Sequence, residues 1–212
     1  MEATEQKTNY LKLITKPIGK ENPITIQVLG ICSALAVTVQ LEPALVMALS
    51  VTVVTGLSGL IISAMRHSIP PRVRIIVQLM VVAVLVILVD QFLQAFAYQV
   101  SKQLSVFVGL IITNCIVMGR LEAFAMANRP WASFVDGIGN GFGYGVILVA
   151  LGVFRELFGS GTLLGVQVIP QSWYDAGYEN NGLFILPPMA LILVGIIIWV
   201  QRSRNKSLIE KF

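Results

Sequence analysis

LSVFVGLIITNCIVMGRLEAFA, residues 104 to 125, is the stretch whose reading decides the fold. Leu104 to Met118 are fifteen residues with no charge and a single amide, Asn114. Cys115 lies near the end of that run, and Gly119-Arg120 is expected to break it. A shorter counterpart upstream, ITIQVLGICSALAVTV (24 to 39), carries Cys32 at its middle, and the chain has no third cysteine. A helix from Pro23 to Val39 would reach about 25 Å at 1.5 Å per residue, short of a hydrocarbon core of roughly 30 Å. Both cysteine segments are therefore expected to be short or broken helices.

Composition agrees with a membrane environment. Of the 212 residues 56% are hydrophobic and 12% charged, where soluble domains carry about 25% charged residues. The apolar residues come in long blocks and not at amphipathic spacing, as in a polytopic helical membrane protein. The net charge of +4 fits the basic cytoplasmic loops of such a protein and not nucleic-acid binding. No cleavable signal is visible, so the N-terminus is expected to be retained.

Outward from the central stretch, six spans are expected. Residues 1–22 form a polar tail, and Asn22-Pro23 has the form of a helix start, Asn as N-cap and Pro at the first helical position. The first span runs from Pro23 to Val39 and the second over 43–65, followed by the loop Arg66 to Arg74. The third starts near Arg74 and ends before Lys102, and the fourth is the stretch quoted above. After the loop Asn128-Arg129-Pro130-Trp131 come a fifth span at 137–158 and a long loop, 159–182, with Trp173, Tyr174 and Tyr178. The last span is 183–201, and 202–212 form a basic tail. With both termini inside, the inner segments hold thirteen of the fifteen Lys and Arg, leaving only Lys102 and Arg155 outside. That asymmetry orients the chain N-in and C-in.

Three spans in each half place the second half upside down relative to the first. The expected fold is an all-α polytopic membrane domain, 23–201, of two inverted three-helix repeats (about 23–100 and 103–201). Each repeat opens with its short cysteine-bearing span. Corresponding short or interrupted segments in such repeats point to a site near the bilayer midplane.

For Cys32 and Cys115 three readings stand side by side: simple packing, a disulfide if the Cα atoms approach to about 5.5 Å, and a metal site. Iron–sulfur clusters generally take four thiolates, so a second protein would have to complete such a site. Positive helix ends would help hold the thiolates in hydrocarbon. In DGIGNGFGYG, Gly137, Gly141 and Gly145 recur every four residues, as do Gly139 and Gly143, a pattern read as close helix packing. Gly109 and Gly119 are expected to permit packing or unwinding beside Cys115. Asp90 is expected at the outer interface, Asp136 and Glu122 near inner ends, and Glu156 as an ion-pair partner of Arg155. His67 lies in a loop, and no catalytic triad, phosphate loop or dinucleotide fingerprint occurs, so no catalytic residue is assigned.

The segments KQLSVFVGLIITNCIVMGRLEAFA (102 to 125), DGIGNGFGYG (136 to 145), NPITIQVLGICSALAVT (22 to 38), HSIPPRVRIIVQ (67 to 78) and FRELFGSGTLLG (154 to 165) resemble the paralogous D-type and E-type membrane components of bacterial sodium-translocating NADH:ubiquinone reductases and their Rnf-complex equivalents. The closer likeness is to the D-type members. The resemblance implies six helices, a bacterial inner-membrane location, and partnership with an E-type paralogue and the rest of the complex. It also implies an iron centre, most simply [2Fe-2S], held by Cys32 and Cys115 with two cysteines of that partner, in an enzyme that moves electrons from NADH to ubiquinone and sodium outward. No covalent flavin is expected on this chain. The alternatives are the equivalent component of an Rnf-type ferredoxin:NAD reductase, an inverted-repeat secondary transporter, and a purely structural component.

Overall fold

The computed structural model describes residues 13, 14, 17, 22–96, 109–164, 166–167 and 182–204. Its α-helices are α1 (Ile31–Val37), α2 (Leu41–Met65), α3 (Arg74–Phe96), α4 (Cys115–Arg120), α5 (Pro130–Gly159) and α6 (Pro187–Arg204). A π-helical turn, Leu121–Ala125, extends α4, and a 3-10 turn, Gly182–Ile185, precedes α6. A two-residue hairpin pairs Thr162–Leu163 with Val166–Gln167. The helices α2, α3 and α5 are long and apolar enough to cross a membrane, and Pro187–Ser203 is a shorter apolar helix. Lys102 and the aromatics Trp173, Tyr174 and Tyr178 of the long loop lie outside the described residues.

α2 and α5 form the centre of the bundle, and glycine decides how closely they approach. A Cβ added at Gly137 would fall 2.7 Å from the Thr55 carbonyl oxygen, and one at Gly141 would fall 2.6 Å from the Thr52 Cα. One turn on, a Cβ at Gly145 would meet Ala48 Cβ at 3.1 Å. The glycine ladder is thus the packing surface expected of it, backbone against backbone. Gly139 and Gly143, on another face of α5, lie equally close to the backbone of Leu13 and Pro17. Thr52 and Thr55 return their hydroxyls to the carbonyls of Ala48 and Val51 at 2.7 and 2.6 Å, leaving no unsatisfied donor at the seam. Met47, Val51, Ile116, Leu121, Tyr144 and Leu148 build the core around it. α3 turns Ile75, Met80 and Phe92 outward, each more than half exposed on the isolated chain, as suits a surface that faces lipid or partner protein.

Four expectations are corrected. Asn22 does cap, its Oδ1 accepting from Ile24 and Thr25 N–H at 3.0 and 3.4 Å, but no helix follows. The chain folds back instead, with Leu29 N–H donating to the Pro23 carbonyl at 2.9 Å. Val28 (φ 57°) and Gly30 (φ 77°) are left-handed, and α1 begins only at Ile31. The central stretch is interrupted at Asn114, not at Gly119-Arg120. Residues 109–112 are helical, α4 starts at Cys115, and the helix runs unbroken through Gly119 and Arg120 into the π turn. There the Met126 N–H reaches the Leu121 carbonyl, the wide pattern of a π-bulge. α5 begins at Pro130, its first residue, and not at 137, because Arg129 remains extended and Pro is preorganised for a first turn. Finally, Arg155 and Glu156 do not pair. Both are buried within α5; Glu156 Oε2 accepts the Leu41 N–H at 2.7 Å, capping α2, and Arg155 binds backbone carbonyls.

Candidate metal centre

Cys115 is the first residue of α4 and Cys32 the second of α1. The first N–H groups of a helix lack partners within it and carry its positive end. The two helix starts are made differently. Asn114 stays extended (φ −66°, ψ 120°) and its side-chain oxygen accepts the Ile116 N–H at 3.1 Å. Gly30 takes the left-handed conformation, with no side-chain cap.

The two starts abut. Asn114 Nδ2 donates to Ser33 Oγ at 3.3 Å, joining the residue before one cysteine to the residue after the other. Ser33 Oγ also donates to the Gly30 carbonyl at 2.9 Å and lies 2.7 Å from the Tyr144 hydroxyl. All three side chains are buried. A Cβ on Gly30 would come 2.6 Å from Ile116 Cδ1, and one on Gly119 would come 3.0 Å from Leu29 Cδ1. The expected packing role thus applies to Gly119. Around Gly109 a Cβ would meet nothing within 4 Å among the described residues.

Both thiols are free and exposed, whereas Ser33, Ala34, Asn114, Ile116 and Val117 beneath them are buried. The molecule therefore holds two unlinked sulfurs on a buried, hydrogen-bonded polar base, facing outward from this chain. Among the described residues no third His, Cys, Asp or Glu joins them in a group of metal-ligand size. That donor set fits one half of a tetrathiolate iron site, with the open side where another protein's ligands would enter.

The acidic residues lie elsewhere. Asp136 receives Arg120 through two bonds, Nε to Oδ2 at 2.9 Å and Nη2 to Oδ1 at 2.6 Å. Glu122 pairs with Arg74 and accepts from Gln78 Nε2 at 3.0 Å. Asp90 accepts from Gln94, one turn on, at 2.9 Å on the exposed face of α3. His67 sits in its loop beside Arg66. The polar base of Ser33, Asn114 and Tyr144 was not singled out from sequence. The signals for it were a lone amide in a fifteen-residue apolar run and a tyrosine set within a glycine ladder.

Long apolar helices joined through a glycine seam, with short helices opening on two thiols, define an integral membrane protein. The family model for the Rnf-Nqr subunit, a membrane protein, matches residues 10–198, and the chain belongs to that family. It is 60% identical over 199 residues to the D-type subunit of the Na(+)-translocating NADH-quinone reductase of Shewanella sp. (strain ANA-3), covering 94% of this chain and 95% of that one. The proteins of the same name from Shewanella sp. (strain W3-18-1) and Shewanella oneidensis are 59% identical over the same share of each chain.

Proposed function

We propose that this chain is the D-type membrane component of a sodium-translocating NADH:quinone reductase. In this reading Cys32 and Cys115 supply two of four thiolate ligands to an iron centre, most simply [2Fe-2S], completed by an E-type paralogue. Bound there, iron supplies a one-electron stopping point within a hydrocarbon layer of roughly 30 Å, and electron flow through the complex drives sodium outward. The chain occupies the bacterial inner membrane with both termini cytoplasmic, as two inverted three-helix repeats that open at α1 and at the 109–120 segment. The relatives' names support the quinone reductase over the Rnf-type enzyme.

The observation that carries the reading is the pair of free thiols at abutting helix starts. Each residue of the base has a definite task. Asn114 fixes where α4 begins and so where Cys115 points. Ser33 ties that start to α1, and Tyr144 anchors Ser33 to the long helix α5. Gly30 turns the backbone so that α1 starts against Ile116. The exposed thiols leave room for a partner's ligands while the buried base keeps water from behind the sulfurs.

Substituting Cys32 or Cys115 by Ala in the assembled complex tests this. Iron in the membrane part and quinone reduction are both expected to be lost, with assembly of the other components retained. Full iron content and activity in both variants would reject the reading and favour a transporter or structural role.

A further inference from the structure

Arg155 is the largest fully buried side chain among the described residues. Its guanidinium donates to the carbonyls of Phe184 (Nε, 3.0 Å), Leu35 (Nη1, 3.1 Å) and Ile185 (Nη2, 2.6 Å), and to Thr38 Oγ1 (Nη1, 2.7 Å). Every one of these acceptors is neutral, and among the described residues no carboxylate forms an ion pair with it. The adjacent Glu156 is turned toward the Leu41 N–H. A buried charge in a membrane domain whose direct partners among the described residues are all neutral is costly, and such residues tend to serve a function. Holding the turn together does not by itself require a full charge.

Where that charge sits suggests its use. Leu35 and Thr38 are the last turn and C-cap of α1, the helix that starts at the Cys32 end. Their carbonyl end is the negative pole of α1. Arg155 binds that end and places its own charge on the order of 10 Å from Cys32 by helix rise. One-electron reduction of a centre at the two thiols adds one negative charge. A buried cation at that distance favours the reduced form, by about tenfold or more in the reduced-to-oxidised ratio at an effective dielectric near 20. Burial keeps salt from screening the effect.

We propose that Arg155 is a positioning residue that sets the reduction potential of the centre held by Cys32 and Cys115 through the far end of α1. This rests on the iron-centre reading above. The test is a redox titration of the centre in the intact purified complex, followed by its visible or paramagnetic signal, with iron counted in each variant. R155Q is expected to keep iron and shift the reduced-to-oxidised ratio about tenfold or more toward oxidised at fixed ambient potential. R155K, which keeps the charge, is expected to stay within about threefold of wild type, a small part of the charge effect. E156Q removes a neighbouring negative charge and is expected to shift the ratio the opposite way.

Iron retained in R155Q at an unchanged ratio overturns the proposal, as does a shift of R155Q and E156Q in the same direction, which marks a merely structural effect. If R155Q fails to assemble, E156Q decides: a ratio that does not move toward reduced overturns the proposal. Failure of the underlying reading looks different, because the wild-type complex would then lack the signal, or C32A would keep it.

Discussion

Replacing Gly30 by alanine probes the junction between the two cysteine segments, and its cost can be worked from two separate features. The backbone stands at φ 77°, where an L-residue loses about 1–2 kcal/mol relative to glycine. The new Cβ would also lie 2.6 Å from Ile116 Cδ1 and 3.3 Å from Tyr144 Cε2. Ile116 must leave its rotamer to make room, at about 0.5–1.5 kcal/mol. Together these give roughly 2–3 kcal/mol, at the upper end for a single substitution. A membrane complex inactivates irreversibly, so the suitable assay is its half-life in detergent at raised temperature. If the loss falls on the folded state alone, inactivation accelerates by roughly thirtyfold or more, at 1.36 kcal/mol per decade. Ile116→Val deletes Cδ1, the closest atom. In the double variant the steric part is expected to be relieved in part, since Cγ1 stays 3.0 Å away, and the backbone part to remain, leaving a coupling of about 0.5–1 kcal/mol in a double-mutant cycle. A Gly30→Ala complex as long-lived as wild type, or a double variant with no coupling, would refute the reasoning.

Four further substitutions separate the remaining features. Gly141→Ala places a Cβ 2.6 Å from the Thr52 backbone while Gly145→Ala meets only the Ala48 methyl at 3.1 Å; the first is expected to reduce the yield of assembled complex strongly and the second only mildly, as read by chromatography of the purified protein. Asn114→Ala removes the cap on Ile116 and the bond to Ser33, a loss of about 1–2 kcal/mol, whereas Asn114→Asp keeps the capping oxygen; iron retention during gentle heating is expected to fall in the order wild type, Asp, Ala.

The sequence made the long helices and the glycine seam legible, because uninterrupted apolar runs and small residues every four positions have few other uses in a membrane. It also marked both cysteine segments as too short for ordinary crossings. The positions of the breaks were harder to read. Gly119-Arg120 looks like an interruption by composition, yet Arg120 is held by Asp136 and the helix passes through. Asn114 looks like a lone polar residue in a helix, but its amide satisfies the backbone that a break exposes. The start at Asn22 failed for a related reason: its side chain both caps locally and donates to Gly143 on α5 at 2.9 Å, so tertiary anchoring displaced helix propagation. Arg155 and Glu156, adjacent in the chain, suggest an ion pair, while the fold sends them to different segments.

The contacts beneath the sulfurs also have a bearing on biogenesis. Gly30 leans on Ile116, and Ser33 on Asn114 and Tyr144, so no ribosome-emerging portion that ends before Tyr144 contains the complete platform. The N-terminal cysteine must wait in the membrane while more than a hundred residues follow it. In the iron-centre reading proposed above, metal delivery would belong to a late stage of maturation, after the closing helices have arrived, and a truncated product would be a poor recipient for it.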